Sequence, residues 1–527
     1  MHVPQPVRSA PSGPGPAAPV PARPRPAPPT DSLRPAAPGK GSLLWLTAVA
    51  MAFAAVQLGF VVPGSGLSWD ETVYVSQVGG NAPPAFFSAP RARGITYLVA
   101  PAAALTASTT MLRICLALLS AAGLLVALGI WRKVLPVPVV AVAGVLFAGL
   151  WPTLFYGPAA MPNLWCALGS LAATGWVVRA LRGGAGRAEV IGAGAAVALV
   201  ALMRPADGFW LALPTAVLVV LLPGRRLPGM CAALLAGLAA GCAPWAAEAY
   251  AHYGGVAARL HRAGEIQGGL GWNIAVDDHL RALAGRTLCR PCDIGWESPA
   301  TAVWWVVLPL LTLGGVLAAR RAGRGGAALV AAVTGASLAL PYLFLVGYAA
   351  PRFLLPAYAL LSVPAAECVA HLFTRTRRAR RPTGAALLAL ALAAHLTVQF
   401  LVLSHVVRVS HATTSDFASV ARALNRAGLR PPCVVSGDQA VPVAYYAGCA
   451  SRQTTGHDRS VTPQALRATA RHVPTAVLVQ EGNDPPALAD GTRTVPLPSG
   501  SGARALRGYL LPTSAAHLAG TTFGRLR

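Results

Sequence analysis

Apolar runs long enough to cross a membrane recur along most of this chain and constrain its fold more than any other feature. A helix rises 1.5 Å per residue, so about 20 apolar residues cross a hydrocarbon core about 30 Å thick. Only 12% of the residues are charged, about half the share that soluble proteins carry. The sequence therefore predicts a polytopic α-helical membrane protein with about 11 transmembrane helices. The predicted spans are residues 43–62, 111–131, 135–155, 161–178, 190–203, 209–222, 230–246, 302–317, 327–347, 353–373 and 385–403.

The distribution of positive charge predicts the orientation of these spans. The formal net charge is +25, but the arginines lie in short clusters between spans, which is typical of cytoplasmic loops and predicts no nucleic-acid partner. If the N-terminus is cytoplasmic, every inner loop is basic, and an odd number of spans leaves the C-terminus outside the cell. The sequence thus predicts a multi-pass protein of a bacterial plasma membrane. The scarcity of lysine indicates a GC-rich genome, as in actinobacteria. The basic inner loops are 132–133, 179–187, 225–226, 320–324 and 375–381.

Changes in composition divide the chain into three parts. Residues 1–40 are rich in Pro, Ala and Arg, and such a stretch buries too little apolar surface to order itself, so we expect a disordered cytoplasmic tail. Residues 41–404 form the predicted transmembrane domain. Residues 405–527 have the composition of a soluble protein and predict a small extracytoplasmic α/β domain. Further expectations are outer loops at 63–110 and 247–301, an interfacial helix at 95–106, strands at 433–435 and 476–479, and helices at 414–427 and 439–447, the first capped by Thr414 or Ser415.

Four of the nine cysteines fall in segments predicted to lie outside the cell. They pair by position as Cys289 with Cys292 and Cys433 with Cys449. If strands beginning at Cys433 and Cys449 are neighbours, their first residues are close enough for a disulfide. The first pair also resembles half of a zinc site, but one Cys-x-x-Cys alone is weak evidence for zinc, and the extracellular location favours a local disulfide.

Two adjacent carboxylates lie just after the first predicted span, in Ser68-Trp69-Asp70-Glu71-Thr72-Val73-Tyr74. The chain has only 18 acidic residues, so an adjacent pair eight residues beyond the end of the span is unusual. A carboxylate there can act as a general base that takes the proton from an attacking hydroxyl, which typically contributes about 10²–10⁴-fold to a rate. The alternative is a pair of solvated loop carboxylates.

This motif, with the long outer loop behind it, resembles the GT-C glycosyltransferases, in particular the aminoarabinose transferases and protein O-mannosyltransferases. The resemblance extends to Met111-Leu112-Arg113, to the segment 348–356 and to the C-terminal outer domain. It implies a polyprenyl-phosphate sugar donor, with Asp70 as catalytic base, Glu71 as its partner in the catalytic pair and Tyr74 in the substrate site. It implies no required cofactor. Two features depart from the family. The segment that contains Arg91 and Arg93 takes the place of a Lys-Pro or His-Pro pair, and Asn163 takes the place of an acidic residue, so that a divalent metal site is unsupported.

Arginines at the outer interface are the candidates for binding a lipid phosphate. Arg91, Arg93 and Arg352 are suitably placed, and arginine binds phosphate with two parallel hydrogen bonds. The alternative for each is an arginine that extends to water or lipid headgroups. Arg204 and Asp207 separate two short spans, where 14 residues reach only about 21 Å, so these charges are expected in a cavity. They either bind substrate or pair with each other.

The sequence therefore predicts an inverting membrane glycosyltransferase. It would transfer a mannose-like sugar from a polyprenyl-phosphate donor to a hydroxyl on the outer face of the membrane, among membrane lipids. The acceptor is left open as an envelope glycan, a lipid, a protein or an exported small molecule. One alternative is a lipid or sugar transporter, which polar groups within discontinuous helices would suggest, although no internal repeat is present. The other alternative is a non-catalytic scaffold of the same fold.

Overall fold

The computed structural model describes residues 1–5, 40–221, 227–269, 271–290, 292–293, 295–379, 381–456, 458–498, 500 and 505–512. Most of the predicted tail lies outside these residues, as do Arg225 and Arg226 of one predicted inner loop. Residues 1–5 are exposed and have no regular secondary structure.

Helices make up most of the described chain up to residue 426. Their bounds are α1 Lys40–Val56, extended by a π-helical turn Gln57–Val61, α2 Trp69–Ser76, α3 Gly94–Leu105, α4 Thr109–Trp131, α5 Val137–Ala148, α6 Trp151–Tyr156, α7 Pro162–Gly183, α8 Arg187–Met203, α9 Pro205–Leu221, α10 Pro228–His252, α11 Val256–Ile266, α12 Val276–Ala282, α13 Val303–Arg321, α14 Gly325–Phe344, α15 Leu355–Arg378 and α16 Pro382–Arg426. Short 3₁₀ turns at Pro299–Ala302 and Pro351–Leu354 precede α13 and α15.

Eight of the described helices are long and apolar enough to cross a membrane, which confirms the predicted class of polytopic α-helical membrane protein. They are α1, α4, α7, α10, α13, α14, α15 and α16. The remaining three predicted spans correspond to shorter helices, so the expected number of 11 is not confirmed. Among the described membrane helices, α7 and α15 are the most buried and occupy the middle of the bundle.

The third predicted span is broken into α5 and α6. Gly149 and Leu150 separate the two helices, and Pro152 occupies the first turn of α6. Proline has no backbone N–H, and its ring clashes with the carbonyl group four residues earlier, so a continuous helix through this point is disfavoured. The first turn of a helix tolerates proline, and the chain therefore starts a new helix there.

The last membrane helix runs without a break across residue 405, where the sequence placed the start of the outer domain. Helix α16 spans Pro382–Arg426, so Thr414 and Ser415 lie inside it and are not N-caps. No glycine or proline occurs between Gly384 and Gly428, so nothing in this stretch interrupts the backbone hydrogen bonds. The C-terminal domain is thus attached to the bundle through one continuous helix.

A small α/β domain follows α16, in agreement with the predicted fold class, and is called the outer domain after its predicted location. Its elements are β1 Val434–Gly437, α17 Ala440–Ala447, β2 Ala450–Ser451, α18 Pro463–Ala470, β3 Thr475–Gln480, β4 Arg493–Pro496 and β5 Leu506–Leu510. The strand order is β2-β1-β3-β5-β4, in which β1 pairs in parallel with β2 and β3, and β5 runs antiparallel to both of its neighbours. The predicted strands and short helix are confirmed, whereas β4 and β5 were not foreseen.

Both cysteine pairs expected from the sequence are disulfides. Cys289 is bonded to Cys292 and Cys433 to Cys449. The second bond joins the residues that immediately precede β1 and β2, which are parallel neighbours, so the geometric condition set by the sequence is met.

The outer domain packs directly on the first of the two predicted outer segments, residues 63–110 between α1 and α4; the second is residues 247–301. Val441 and Tyr445 of α17 belong to the same buried apolar cluster as the membrane helices. The backbone N–H of Leu67 donates a hydrogen bond to the Tyr446 hydroxyl at 2.6 Å, and that of Gly66 donates to Thr414 Oγ1 at 3.3 Å. These contacts hold the residues that lead into α2.

Candidate active site

Helix α2 carries the Asp-Glu pair, and the two carboxylates leave it in different directions. Successive residues of an α-helix are about 100° apart around its axis. Asp70 lines a cavity between the bundle and the outer domain and keeps 32% of its side-chain surface exposed. Glu71 is 3% exposed and is not among the residues that line this cavity. Adjacent positions in the sequence therefore have separate surroundings.

Glu71 anchors α2 to the protein interior. Its carboxylate accepts hydrogen bonds from the backbone N–H and the hydroxyl of Ser68, both at 2.9 Å. It also accepts from the Arg113 guanidinium at 2.9 Å and from the Ala160 backbone N–H at 2.8 Å. The contact to Ser68 N–H is half of a capping box, in which the N3 carboxylate returns to the N-cap. Four donors saturate this carboxylate, so its contacts are those of an anchor for the helix.

Asp70 lies between two arginine side chains. Its Oδ1 is 2.9 Å from an Arg91 guanidinium nitrogen, and its Oδ2 is 3.2 Å from one of Arg352. Burial alone would raise the pKa of Asp70, but the charges of Arg91 and Arg352 outweigh it, and the pKa lies below its ordinary value. The carboxylate is therefore ionised at neutral pH.

Arg352 is fixed by three further contacts. Its guanidinium donates to the carbonyl oxygen of Thr287 at 2.7 Å and to the hydroxyl of Tyr156 at 3.3 Å, and it lies 5.3 Å from the ring centre of Phe353. The 3₁₀ turn Pro351–Leu354 holds it at the start of α15. The side chain is only 11% exposed, so its position is set by the protein before any ligand arrives.

The cavity has a volume of about 850 Å³, toward the upper end of the range of about 300–1,000 Å³ for small-molecule sites. Residues from the bundle, both outer segments and the outer domain line it. The charged and polar ones are Asp70, Tyr74, Ser88, Arg91, Asn163, Arg204, Gln267, Arg290, Tyr348, Arg352, Thr413, Asp438, Gln439, Gln453, Thr455, Asp458 and Gln480, together with Trp69.

Of the remaining predicted site residues, two line the cavity and two do not. Tyr74 lines it, with the Arg91 guanidinium 5.3 Å from its ring centre, and Arg204 lines it from the turn between α8 and α9. Arg93 is paired with Glu248 of α10, at 2.7 Å, and lies outside the lining. Asp207 is 1% exposed.

Asp207 is held by two partners on the bundle side of Arg204. It accepts a hydrogen bond from the Tyr342 hydroxyl, and its Oδ2 lies 3.6 Å from Arg204 Nε. The sequence left open whether Arg204 and Asp207 pair with each other or bind substrate. The structure contains the pair, and only Arg204 is in the cavity.

Several cavity residues were not selected from the sequence. Arg290 lies between the two cysteines of the local disulfide, 4.7 Å above the ring centre of Tyr348, and its charge within a predicted outer loop was the available signal. Asp438 and Asp458 come from the outer domain. Asp458 Oδ2 accepts a hydrogen bond from Trp69 Nε1 at 3.1 Å, across 389 positions of sequence, and no local pattern predicts such a contact.

The side chains around Asp70 do not fit a divalent cation. Both carboxylate oxygens already face guanidinium groups, and like charges at such distances repel. Asn163, which lines the same cavity, carries a neutral carboxamide and adds no second carboxylate. Within the described residues, no group of three or more His, Cys, Asp or Glu side chains has a geometry that holds a metal. The chemistry proposed below uses no metal ion.

Solved structures of membrane glycosyltransferases share this fold. ArnT, the aminoarabinose transferase, from Cupriavidus metallidurans bound to undecaprenyl phosphate has a TM-score of 0.63 at 13% sequence identity, over 92% of this chain and 99% of that chain. The archaeal oligosaccharyltransferase AglB from Archaeoglobus fulgidus, in complex with an inhibitory peptide and a dolichol-phosphate, has a TM-score of 0.52 at 13% identity, over 84% and 69%. No protein-family model and no curated protein matches the sequence. Both neighbours belong to the GT-C superfamily, and the GT-C-like fold that the sequence motifs implied is thereby confirmed.

Proposed function

We propose that this protein is an inverting glycosyltransferase that moves a sugar from a polyprenyl-phosphate donor to an acceptor hydroxyl at the outer face of the membrane. The observation that carries the proposal is the placement of Asp70 in a large cavity between Arg91 and Arg352. A fold shared with ArnT bound to undecaprenyl phosphate and with AglB bound to a dolichol-phosphate supports this donor class. Mannose is our first candidate for the sugar.

The donor phosphate fits the wall formed by the membrane part. Arg91, Arg204, Arg290 and Arg352 all line it, and guanidinium groups bind phosphate oxygens with paired hydrogen bonds. Negative charge on the lipid phosphate grows as the bond to the sugar breaks. Cations already in place stabilise that charge without reorganising, which is the most effective form of electrostatic catalysis.

Donor binding would also prepare the base. A carboxylate whose pKa is lowered by two arginines is a weak proton acceptor, and a base works best when its pKa is near the operating pH. A phosphate that binds Arg352 or Arg91 partly neutralises that cation without moving it. The pKa of Asp70 then rises, because burial remains while an opposing charge is weakened. We infer that Asp70 becomes an effective base only when the donor is bound.

The transfer step needs no further group. The acceptor oxygen attacks the anomeric carbon and forms the new glycosidic bond. The bond between that carbon and the phosphate oxygen breaks, and its electron pair goes to the phosphate. The acceptor proton goes to Asp70. Attack from the face opposite the leaving phosphate inverts the anomeric configuration.

The other predicted site residues receive supporting roles in this proposal. Glu71 positions α2 and so aims Asp70. Arg93 fixes the first outer segment to α10 through Glu248, and Asp207 orients Arg204. Tyr74 lines the cavity next to Arg91. In this proposal residues 41–404 are the catalytic part and residues 405–527 the C-terminal part, whose described residues line one side of the cavity, with the N-terminus in the cytoplasm and the C-terminus outside.

The proposal is tested with the purified protein in sealed liposomes. A polyprenyl-phosphate mannose with a labelled sugar is supplied with a panel of glycan, lipid and peptide acceptors. We expect label to become covalently attached to an acceptor on the side that carries the outer domain. Label that crosses the vesicle membrane without transfer would instead support a transporter and contradict the proposal.

A further inference from the structure

The two walls of the cavity carry opposite charge. All four arginines that line it come from the membrane part and its outer segments. The outer domain contributes Asp438 and Asp458, and no lysine or arginine of that domain is among the described residues that line the cavity. A phosphate is attracted to the first wall and repelled by the second, so the second wall is suited to a different ligand.

The second wall is the carboxyl edge of a parallel sheet. Strands β1, β2 and β3 are parallel, with β1 in the middle. Asp438 and Gln439 follow β1, Gln453 and Thr455 follow β2, and Gln480 ends β3, and all five line the cavity. In open α/β sheets, ligands bind at the carboxyl ends of the strands, where the chain connections leave in opposite directions. The cavity lies at this position of the small sheet.

The turn after β1 has a conformation that ordinary turns avoid. Gln439 has φ 56°, in the left-handed region, which costs about 1–2 kcal/mol for a residue with a Cβ atom. Gly437 has φ 87°, and a Cβ atom there would overlap the carbonyl oxygen of Leu478. Strained backbone of this kind concentrates at functional sites.

Two side chains lock this turn in place. The Gln453 amide accepts from the Gly437 N–H at 3.2 Å and donates to the Gly437 carbonyl at 3.0 Å. Asp438 Oδ2 accepts from the Gln480 backbone N–H at 2.7 Å. The turn is therefore rigid, and it presents Asp438 and Gln439 to the cavity.

A buried donor on the facing side also lacks a partner. Asn163 is 2% exposed and lines the cavity, and its Nδ2 has no hydrogen-bond partner among the described residues. A buried polar group left unpaired costs about 1–3 kcal/mol. Because this nitrogen is itself buried, a ligand oxygen in the cavity pairs with it only after the Asn163 side chain turns toward the cavity.

We propose that the carboxyl edge of β1–β3 is the acceptor subsite and that the acceptor is a neutral carbohydrate. This inference rests on the proposed glycosyltransferase function and names its second substrate class. Carboxylate and carboxamide groups accept from and donate to sugar hydroxyls, and Trp69, held by Asp458, adds aromatic surface. A phosphorylated or uronic-acid acceptor would bring negative charge against Asp438 and Asp458, so this wall selects against it.

The test measures acceptor binding separately from transfer. The purified protein is titrated with neutral mannotriose and galactotriose, with the same trisaccharides carrying a terminal glucuronate, and with Ser/Thr-containing peptides. We expect a neutral trisaccharide to bind most tightly. Preference for a glucuronate compound or a peptide, or binding of no neutral trisaccharide, overturns the proposal.

Two variants test whether the trisaccharide binds at the carboxyl edge of β1–β3. Asp438→Ala and Gln439→Gly, the latter compatible with a left-handed backbone, should each weaken trisaccharide binding by about tenfold or more. Asp484→Ala, which removes an exposed carboxylate of the same domain outside the cavity, should not. Unchanged binding in both edge variants overturns the proposal. Binding of polyprenyl phosphate is measured in parallel, and its failure would count against the proposed function and not against this subsite.

Discussion

Asp70 Oδ1 and the guanidinium of Arg91 form an ion pair of 2.9 Å inside the cavity. The two residues belong to different parts of the first outer segment, and their pairing brings the α2 motif and the Pro90-Arg91-Ala92-Arg93 segment to one site. Arg91 is 12% exposed and Asp70 is 32% exposed. The carboxylate thus keeps access to the cavity while the cation behind it is fixed.

Removing this cation should change the pH dependence of transfer. In Arg91→Gln the pKa of Asp70 rises, because burial still raises it and the largest of the opposing arginine charges is gone. A base must be deprotonated to act. When the pH is lowered, Arg91→Gln therefore loses activity at a higher pH than the unaltered protein does. The acid limb of the kcat/KM profile should therefore move to higher pH. An acid limb that stays in place, or moves down, contradicts the role given to Arg91. Arg262→Gln, at a half-exposed arginine of α11 outside the cavity lining, serves as the unshifted control.

Removing the anchor of α2 should lower stability. Glu71→Ala leaves Arg113 buried without its charged partner, and breaking a buried ion pair in this way costs about 3–5 kcal/mol. We expect a clearly lower thermal unfolding midpoint together with reduced kcat. Glu481→Ala removes an exposed carboxylate paired with Arg507 and should leave the midpoint unchanged. Equal midpoints for the two variants would contradict the anchoring role.

The contact between the outer domain and the loop before α2 should affect catalysis more than binding. Tyr446→Phe removes the hydroxyl that accepts from Leu67 N–H at 2.6 Å, and an unpaired buried N–H costs about 1–3 kcal/mol. The loop then holds α2 less firmly, so kcat should fall while the KM for the donor stays the same. Tyr250→Phe, on an exposed side chain, is the matched control. A raised donor KM with unchanged kcat would argue against a positioning role.

The disulfide between Cys433 and Cys449 should stabilise the outer domain. It closes a loop with a sequence separation of 16, for which loop-closure entropy predicts about 3 kcal/mol. The double variant Cys433→Ser/Cys449→Ser should unfold at a lower denaturant concentration than the unaltered protein. Unfolding of the domain is measured by its loss of protection from proteolysis. Cys115→Ser, at a free cysteine of α4, should behave as the unaltered protein. Equal proteolytic protection in the two would refute the prediction.

Much of this fold follows from local patterns. The lengths of apolar runs locate the membrane helices, and alternation of short strands and helices locates the α/β domain. The break at Pro152 and the continuity of α16 also follow from where proline and glycine occur, although run length alone predicts neither. In addition to Tyr74, four predicted site residues line the cavity: Asp70, Arg91, Arg204 and Arg352. All four were recognisable in the sequence as charged groups near the predicted outer surface.

The rest depends on contacts between distant parts of the chain. The sequence motif does not show which of its two carboxylates, Asp70 or Glu71, faces the cavity. Only the packing of Arg113 and Ala160 against Glu71 decides this. Arg93 and Arg91 are likewise two positions apart, and Glu248 of α10 removes Arg93 from the cavity. The wall formed by Asp438 and Asp458 depends on how the outer domain docks on the bundle, which no periodicity encodes.

The most direct test of the central claim compares Asp70→Asn with the control variant Asp484→Asn in a transfer assay from labelled polyprenyl-phosphate mannose. We expect Asp70→Asn to remain folded and to bind polyprenyl phosphate, but to lower kcat by about 10²-fold or more. Asp484→Asn should transfer sugar at the unaltered rate. Transfer by Asp70→Asn at the rate of the control would contradict the assignment of Asp70 as the catalytic base.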